Sequence, residues 1–141
     1  MSGAIRVREE ILAAICEHAR ETPRKECCGL LASRDAVITR AFPATNVARD
    51  TAASYEIAPE ELFRLMRAIR AAGLKFAGIY HSHPSGSNEP SARDVAQAFY
   101  PDAAYFIVSP HADLSDSAQP HGVRAFSIRA EKVEELQLEI L

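Results

Sequence analysis

The stretch Phe76-Ala77-Gly78-Ile79-Tyr80-His81-Ser82-His83 constrains this chain more than any other. It begins as an apolar run of strand length and turns polar over its last three residues. Side chains along a strand alternate between two faces, so residues two apart point the same way. His81 and His83 are therefore presented on one face, at the end of a stiff element. Two imidazoles placed like this can converge on one metal ion at about 2.0–2.1 Å each. The same pattern also describes a strand end with one packed and one exposed histidine, so the surrounding residues have to decide.

Those residues favour a site. Pro84-Ser85-Gly86-Ser87-Asn88-Glu89-Pro90 reads as an irregular loop. Ser91 then opens a helix predicted to run to about Phe99, with Asp94 in its first turn. A carboxylate there can supply a third ligand oxygen at about 2.0–2.2 Å. Ser-x-x-Asp is also a capping box, in which hydroxyl and carboxylate satisfy the first backbone N–H groups of a helix. A carboxylate given wholly to a metal is not fully available as a cap, so on the sequence the two readings compete.

The rest of the chain mixes helices and strands. A short strand is predicted over 5–7. Ile11, Leu12, Ile15, Cys16 and Ala19 recur at helical spacing between Arg8 and Arg20, and Pro23 closes that helix. Cys28 to Ala32 reads as a buried strand with 36–41 as its hairpin partner and Ser33-Arg34-Asp35 as the turn. Residues 42–53 read as loop and 54–57 as a brief strand. Pro59 opens a second helix with Leu62, Leu65, Met66 and Ile69 as its apolar stripe and Gly73 just past its end. Residues 104–109 form a strongly apolar strand, 110–121 a polar loop, and 123–128 with 132–139 a closing hairpin. The expectation is one α/β (α+β) domain over residues 1–141.

With 48% of its 141 residues hydrophobic, the chain can bury a real core. A net charge of -3 gives no electrostatic reason to expect nucleic acid or an anionic membrane as partner. No apolar run approaches the 18 or so residues needed to cross a bilayer, and the N-terminus has no signal-like apolar segment. Three cysteines, two of them adjacent, do not suggest a disulfide framework. The expected location is the cytoplasm. Cys27 and Cys28 lack the spacer of common zinc ligands; Cys28 reads as strand packing, and the role of Cys27 stays open. His111 and His121 read as exposed loop histidines, His18 as solvent-facing on the first helix, and Arg64, Arg67 and Arg70 as a solvated helix face.

His81-Ser82-His83-Pro84, six intervening residues, Ser91, two residues and Asp94 together resemble the signature of the JAMM (MPN-plus) metallopeptidases. Glu26-Cys27-Cys28-Gly29-Leu30-Leu31 resembles the family's glutamate and the Cys-Gly-hydrophobic strand behind it. Asn46, Asp50 and Tyr55-Glu56-Ile57 resemble the small stand-alone bacterial members. The resemblance implies a curved mixed β-sheet flanked by helices, as in cytidine deaminases. It implies that His81, His83 and Asp94 bind Zn2+ with water in the fourth position, that Glu26 is general base and then general acid, and that Ser91 helps to stabilise the oxyanion. Apart from the resemblance, Glu26 reads as a surface acid. Three protein ligands leave an open position, the mark of a catalytic zinc, although other divalent metals suit such donors.

The small members resemble peptidases that act on ubiquitin-like sulfur-carrier proteins ending in Gly-Gly. The implied reaction is hydrolysis after that tail, releasing cysteine or a short extension. A general, deubiquitinase-like isopeptidase and a non-catalytic MPN-type scaffold are the alternatives. The retained ligand set weighs against the scaffold. Family members often dimerise, which leaves a homodimer open.

Overall fold

The computed structural model describes residues 3–110 and 119–141. Seven strands appear in chain order as β1 (Ala4–Val7), β2 (Cys28–Arg34), β3 (Val37–Ala44), β4 (Lys75–Ser82), β5 (Ala104–Val108), β6 (Val123–Arg129) and β7 (Lys132–Ile140). Three α-helices accompany them: α1 (Glu9–Glu21), α2 (Pro59–Ala71) and α3 (Ala92–Ala96). The strands order as β1-β3-β2-β4-β5-β6-β7, and β1 pairs with β7 as well as β3, so the curved sheet closes on itself. It is mixed: β4 runs parallel to β5, while β2 is antiparallel to both β3 and β4. This is an α/β fold with helices on both faces of the sheet.

Strand alternation divides the interior in two. On one face Leu31, Tyr80, Phe106 and Ala125 pack with Ile11, Leu12, Ile15, Cys16 and Ala19 of α1. On the other Leu30, Ile79, Tyr105, Ile107 and Phe126 pack with Leu65 and Ile69 of α2. Gly29 makes the first packing possible. A Cβ there would lie 2.4 Å from the Tyr80 ring and 2.6 Å from the Phe42 carbonyl oxygen, so the Cys-Gly-hydrophobic pattern leaves the space that Tyr80 fills.

Four local expectations change. The β2–β3 turn is Asp35–Ala36, not 33–35; both residues have positive φ, 52° and 65°, as a two-residue hairpin needs to match strand twist. β3 continues through Pro43 to Ala44 because its upper half pairs only with β2, leaving an outer edge where proline removes no ladder bond. Residues 54–57 contribute a single bridge, Asn46 to Ile57, in place of a strand. α3 stops at Ala96: Pro101 disfavours helical geometry at Tyr100, whose N–H instead donates to the Tyr105 hydroxyl at 3.0 Å. Among the described residues no helix is long and apolar enough to cross a membrane.

Candidate metal centre

His81 and His83 stand at the top of β4, on the α2 face, as alternation requires. Ser82 points the other way. Its Oγ accepts the Cys27 N–H at 2.8 Å, and its own N–H donates to the Cys27 carbonyl at 3.1 Å. These bonds extend the antiparallel register in which Cys28 opposes His81. Two residues before Cys28, Glu26 lies near enough for its carboxyl to feel the charges of His83 and Asp94. A glutamate remote in sequence is thereby brought to the histidine pair.

Asp94 arrives from the other side, in the first turn of α3. The connecting loop is fastened by Asn88, whose Nδ2 donates to the Gly122 carbonyl at 2.9 Å and to Gln119 Oε1 at 2.8 Å, and by Ser109 Oγ, which donates to the Gly86 carbonyl. The capping box is formed: Asp94 N–H donates to Ser91 Oγ at 3.1 Å, and Ser91 N–H to Asp94 Oδ2 at 2.9 Å. The same carboxylate meets both imidazoles, with Oδ1 3.2 Å from His81 Nε2 and Oδ2 3.0 Å from His83 Nε2. Cap and ligand are therefore not alternatives. The cap orients Asp94, and the carboxylate still faces the histidines.

The donor set suits a small divalent cation. His83 Nδ1–H donates to the Ser87 carbonyl at 2.7 Å, so in the neutral ring Nε2 carries the lone pair. That Nε2 lies 3.2 Å from His81 Nε2. Spacings of 3.0–3.2 Å approach the edge of about 3.3 Å that a tetrahedron with 2.0–2.1 Å bonds requires. His81, His83 and Asp94 form a group able to hold one ion.

Burial and charge act together here. Burial lowers the His81 pKa, favouring the neutral ligand form. Burial would also lower His83, but Asp94 and the Ser87 carbonyl outweigh it and raise the value. Burial alone would raise Asp94, yet the two imidazoles and the Ser91 N–H hold its carboxyl well below the usual range. Glu26 is only 6% exposed, and burial pushes its carboxyl up to about 7, with His83 opposing and Asp94 adding to the rise. Its Oε1 is buried with no hydrogen-bond partner in the protein.

Other sequence candidates lie elsewhere. Cys27 joins the α1-side core, and burial pushes its thiol up to about 11. Cys28 shares a face with His81, but burial raises it to about 12, so it packs as a hydrophobe. His121 meets Glu9 Oε1 at 2.6 Å, near the start of α1. His111 lies outside the described residues. His18 is half-buried, not solvent-facing, with Nδ1 2.7 Å from the Tyr80 hydroxyl. Arg64, Arg67 and Arg70 are exposed on α2 as expected. Two residues quoted only within the family resemblance do local work: the Tyr55 ring stacks on His81, and Asn46 binds the Glu26 carbonyl. No local periodicity marks either one.

Known proteins resemble this chain in sequence and in fold. The family described as prokaryotic homologs of the JAB domain matches residues 8–129. The desampylase of Haloferax volcanii is 40% identical over 112 residues, covering 78% of this chain and 81% of that protein. The CysO-cysteine peptidase of Mycobacterium tuberculosis is 34% identical over 105 residues, covering 73% and 71%. A solution structure of a protein from Desulfitobacterium hafniense superposes with a TM-score of 0.80 at 28% identity, covering 97% of this chain and 92% of the other.

Proposed function

Because this chain belongs to the prokaryotic JAB-domain family and is a JAMM-type peptidase, we propose a specific reaction for it: zinc-dependent hydrolysis after the C-terminal Gly-Gly of a ubiquitin-like sulfur-carrier protein, releasing cysteine or a short extension. The observation that carries this reading is the meeting of two chemistries in one place. Three metal-ligand atoms lie about 3 Å apart, and the buried Glu26 carboxyl, with an unpartnered oxygen, is electrostatically coupled to His83 and Asp94. A non-catalytic scaffold has no use for the second. The relative named as a CysO-cysteine peptidase supports cysteine as the group released.

His81, His83 and Asp94 would hold the ion. Zinc supplies Lewis-acid polarisation of carbonyl and water oxygens. Glu26 Oε1 takes a proton from the attacking water as its oxygen bonds to the scissile carbonyl carbon. Glu26 then returns that proton to the amide nitrogen as the C–N bond breaks, leaving a carrier carboxylate and a free amine. The Ser91 hydroxyl accepts from Asp94 N–H, so its own hydrogen is free to donate to the oxyanion. A groove of about 270 Å³, lined by Tyr55, Ile57, Ile79, Gln97, Phe99 and Tyr100 among others, shares Tyr55 with the centre through the ring stacked on His81 and offers room beside it for the carrier tail. Three unpaired, buried cysteines suit a reducing cytoplasm.

The test is intact-mass spectrometry of the zinc-loaded protein with Gly-Gly-ending carriers, each extended by one cysteine, with and without chelator. Loss of one cysteine residue from a carrier is expected, abolished by chelator and by Glu26→Gln. Cleavage that survives Glu26→Gln would place the base elsewhere. Zinc bound with every carrier left intact would overturn the substrate.

A further inference from the structure

A histidine that binds a metal through one ring nitrogen usually donates the other N–H to a carboxylate, carbonyl or water, which fixes the ring. His83 follows that rule through Ser87. His81 does not. It is 1% exposed, and its Nδ1 is buried with no hydrogen-bond partner in the protein. What lies against the ring is Tyr55, stacked with centroids 4.5 Å apart and planes 23° from parallel. We propose that Tyr55 is the positioning residue of His81, its stacked ring replacing the missing hydrogen bond, and that Asn46 holds Tyr55 and Glu26 in one frame.

The Asn46 carboxamide uses its hydrogen-bonding capacity fully. Nδ2 donates to the Glu26 carbonyl at 2.9 Å and to the Ser54 carbonyl at 3.0 Å. Oδ1 accepts from the Ala48 N–H at 2.9 Å and the Glu56 N–H at 3.1 Å. Ser54 and Glu56 flank Tyr55, so both backbone neighbours of the stacking ring are tied to one side chain. The Asn46–Ile57 bridge and the Val47 N–H to Glu56 carbonyl bond close the same frame. A further bond reaches the backbone carbonyl of the proposed base, Glu26. One side chain therefore links the backbone of the proposed base to the backbone on both sides of the stacking ring. Beyond that bridge the segment is held by single bonds, such as Glu26 N–H to the Thr51 carbonyl at 2.7 Å, and by packing of Tyr55 and Ile57 on the α2-side core; Asn46 is the side chain that ties both neighbours of Tyr55 at once.

This inference rests on the metal reading but not on the substrate. The experiment is zinc affinity of the full-length protein, by competition with a chromophoric chelator, together with the visible spectrum of the cobalt-substituted form. Tyr55→Phe keeps the ring and should bind zinc within about twofold of the parent. Tyr55→Leu fills similar space without a flat ring and should weaken zinc at least about tenfold, with an altered cobalt spectrum, as loss of ligand-orienting partners does. Circular dichroism of the metal-free variants separates this loss from unfolding. Tyr55→Leu binding zinc like the parent would reduce the contact to ordinary packing and overturn the proposal. Asn46→Asp, which loses both donors, should weaken zinc in the same direction, and the double variant should lose no more than Tyr55→Leu alone. Additive losses would overturn the part given to Asn46. A parent protein that binds no zinc would overturn the metal centre itself, and this proposal with it. A parent that binds zinc but cleaves no carrier would overturn only the substrate.

Discussion

The two faces of the β-sheet use the same strands for different ends. On the α1 face, Tyr80 and Ser82 of β4 serve packing and register: Tyr80 fills the space above Gly29, and Ser82 pins the start of β2. On the α2 face, Ile79 packs, but His81 and His83 leave the core pattern and meet Asp94. One face ends in a serine hydroxyl spent on backbone register; the other changes from core to chemistry within two residues. Because strand side chains alternate, a change on one face need not disturb the other. The α1 face is the rigid support, and the α2 face can carry buried polar groups that a core would not otherwise tolerate.

That comparison can be broken most directly at His83. His83→Ala should remove most of the zinc, which in the parent is expected near one ion per chain, while far-UV circular dichroism stays native. Equal zinc in the two proteins, measured by elemental analysis, would remove the division between the faces at its most distinctive point. The converse change is Phe106→Ala, on the α1 face and fully buried. It should cost about 3–5 kcal/mol in denaturant unfolding and leave zinc per folded chain unchanged. A parallel loss of zinc would mean that the faces are coupled.

The smallest effect sharpens the account of Glu26. In the metal-free protein its carboxyl is pushed up from 4.5 to about 7, chiefly by burial. The folded chain therefore holds that proton more tightly than the unfolded chain. The stability this contributes is whole below about pH 4.5 and is lost as pH rises through about 7, where burying the charge becomes a cost. Glu26→Gln carries no such charge. Its metal-free form should gain on the parent between pH 5 and pH 8, reaching roughly 2–3 kcal/mol. Stability curves that stay parallel over that range would show Glu26 to be better solvated than the structure places it.

Much of the molecule was legible locally. α1 and α2 follow from apolar residues at helical spacing, and β4 and β5 from short apolar runs. That His81 and His83 share a face needed only the period of a strand, and Ser91 and Asp94 announced a helix start. Local signals were weaker where a distant partner decided the outcome. The end of α3 depends on the Tyr105 hydroxyl as well as Pro101. β3 extends past the expected stop because β2 is there to pair with it. Asp94 looked forced to choose between cap and ligand, and only the approach of β4 shows that its oxygens do both.

Glu26 marks the boundary between the two kinds of information. Its own neighbourhood reads as a surface loop, and only likeness to a family singled it out. The sequence by itself determined which side chains share a face of each element, because alternation and helical period are properties of a few consecutive residues. The tertiary structure decided which faces meet. The register of β2 on β4 sets Cys28 against His81 and so brings Glu26, two residues earlier, within the field of His83, and the loop held by Asn46 lays Tyr55 on His81. Those placements depend on pairing between distant segments, whose free energy no local window contains.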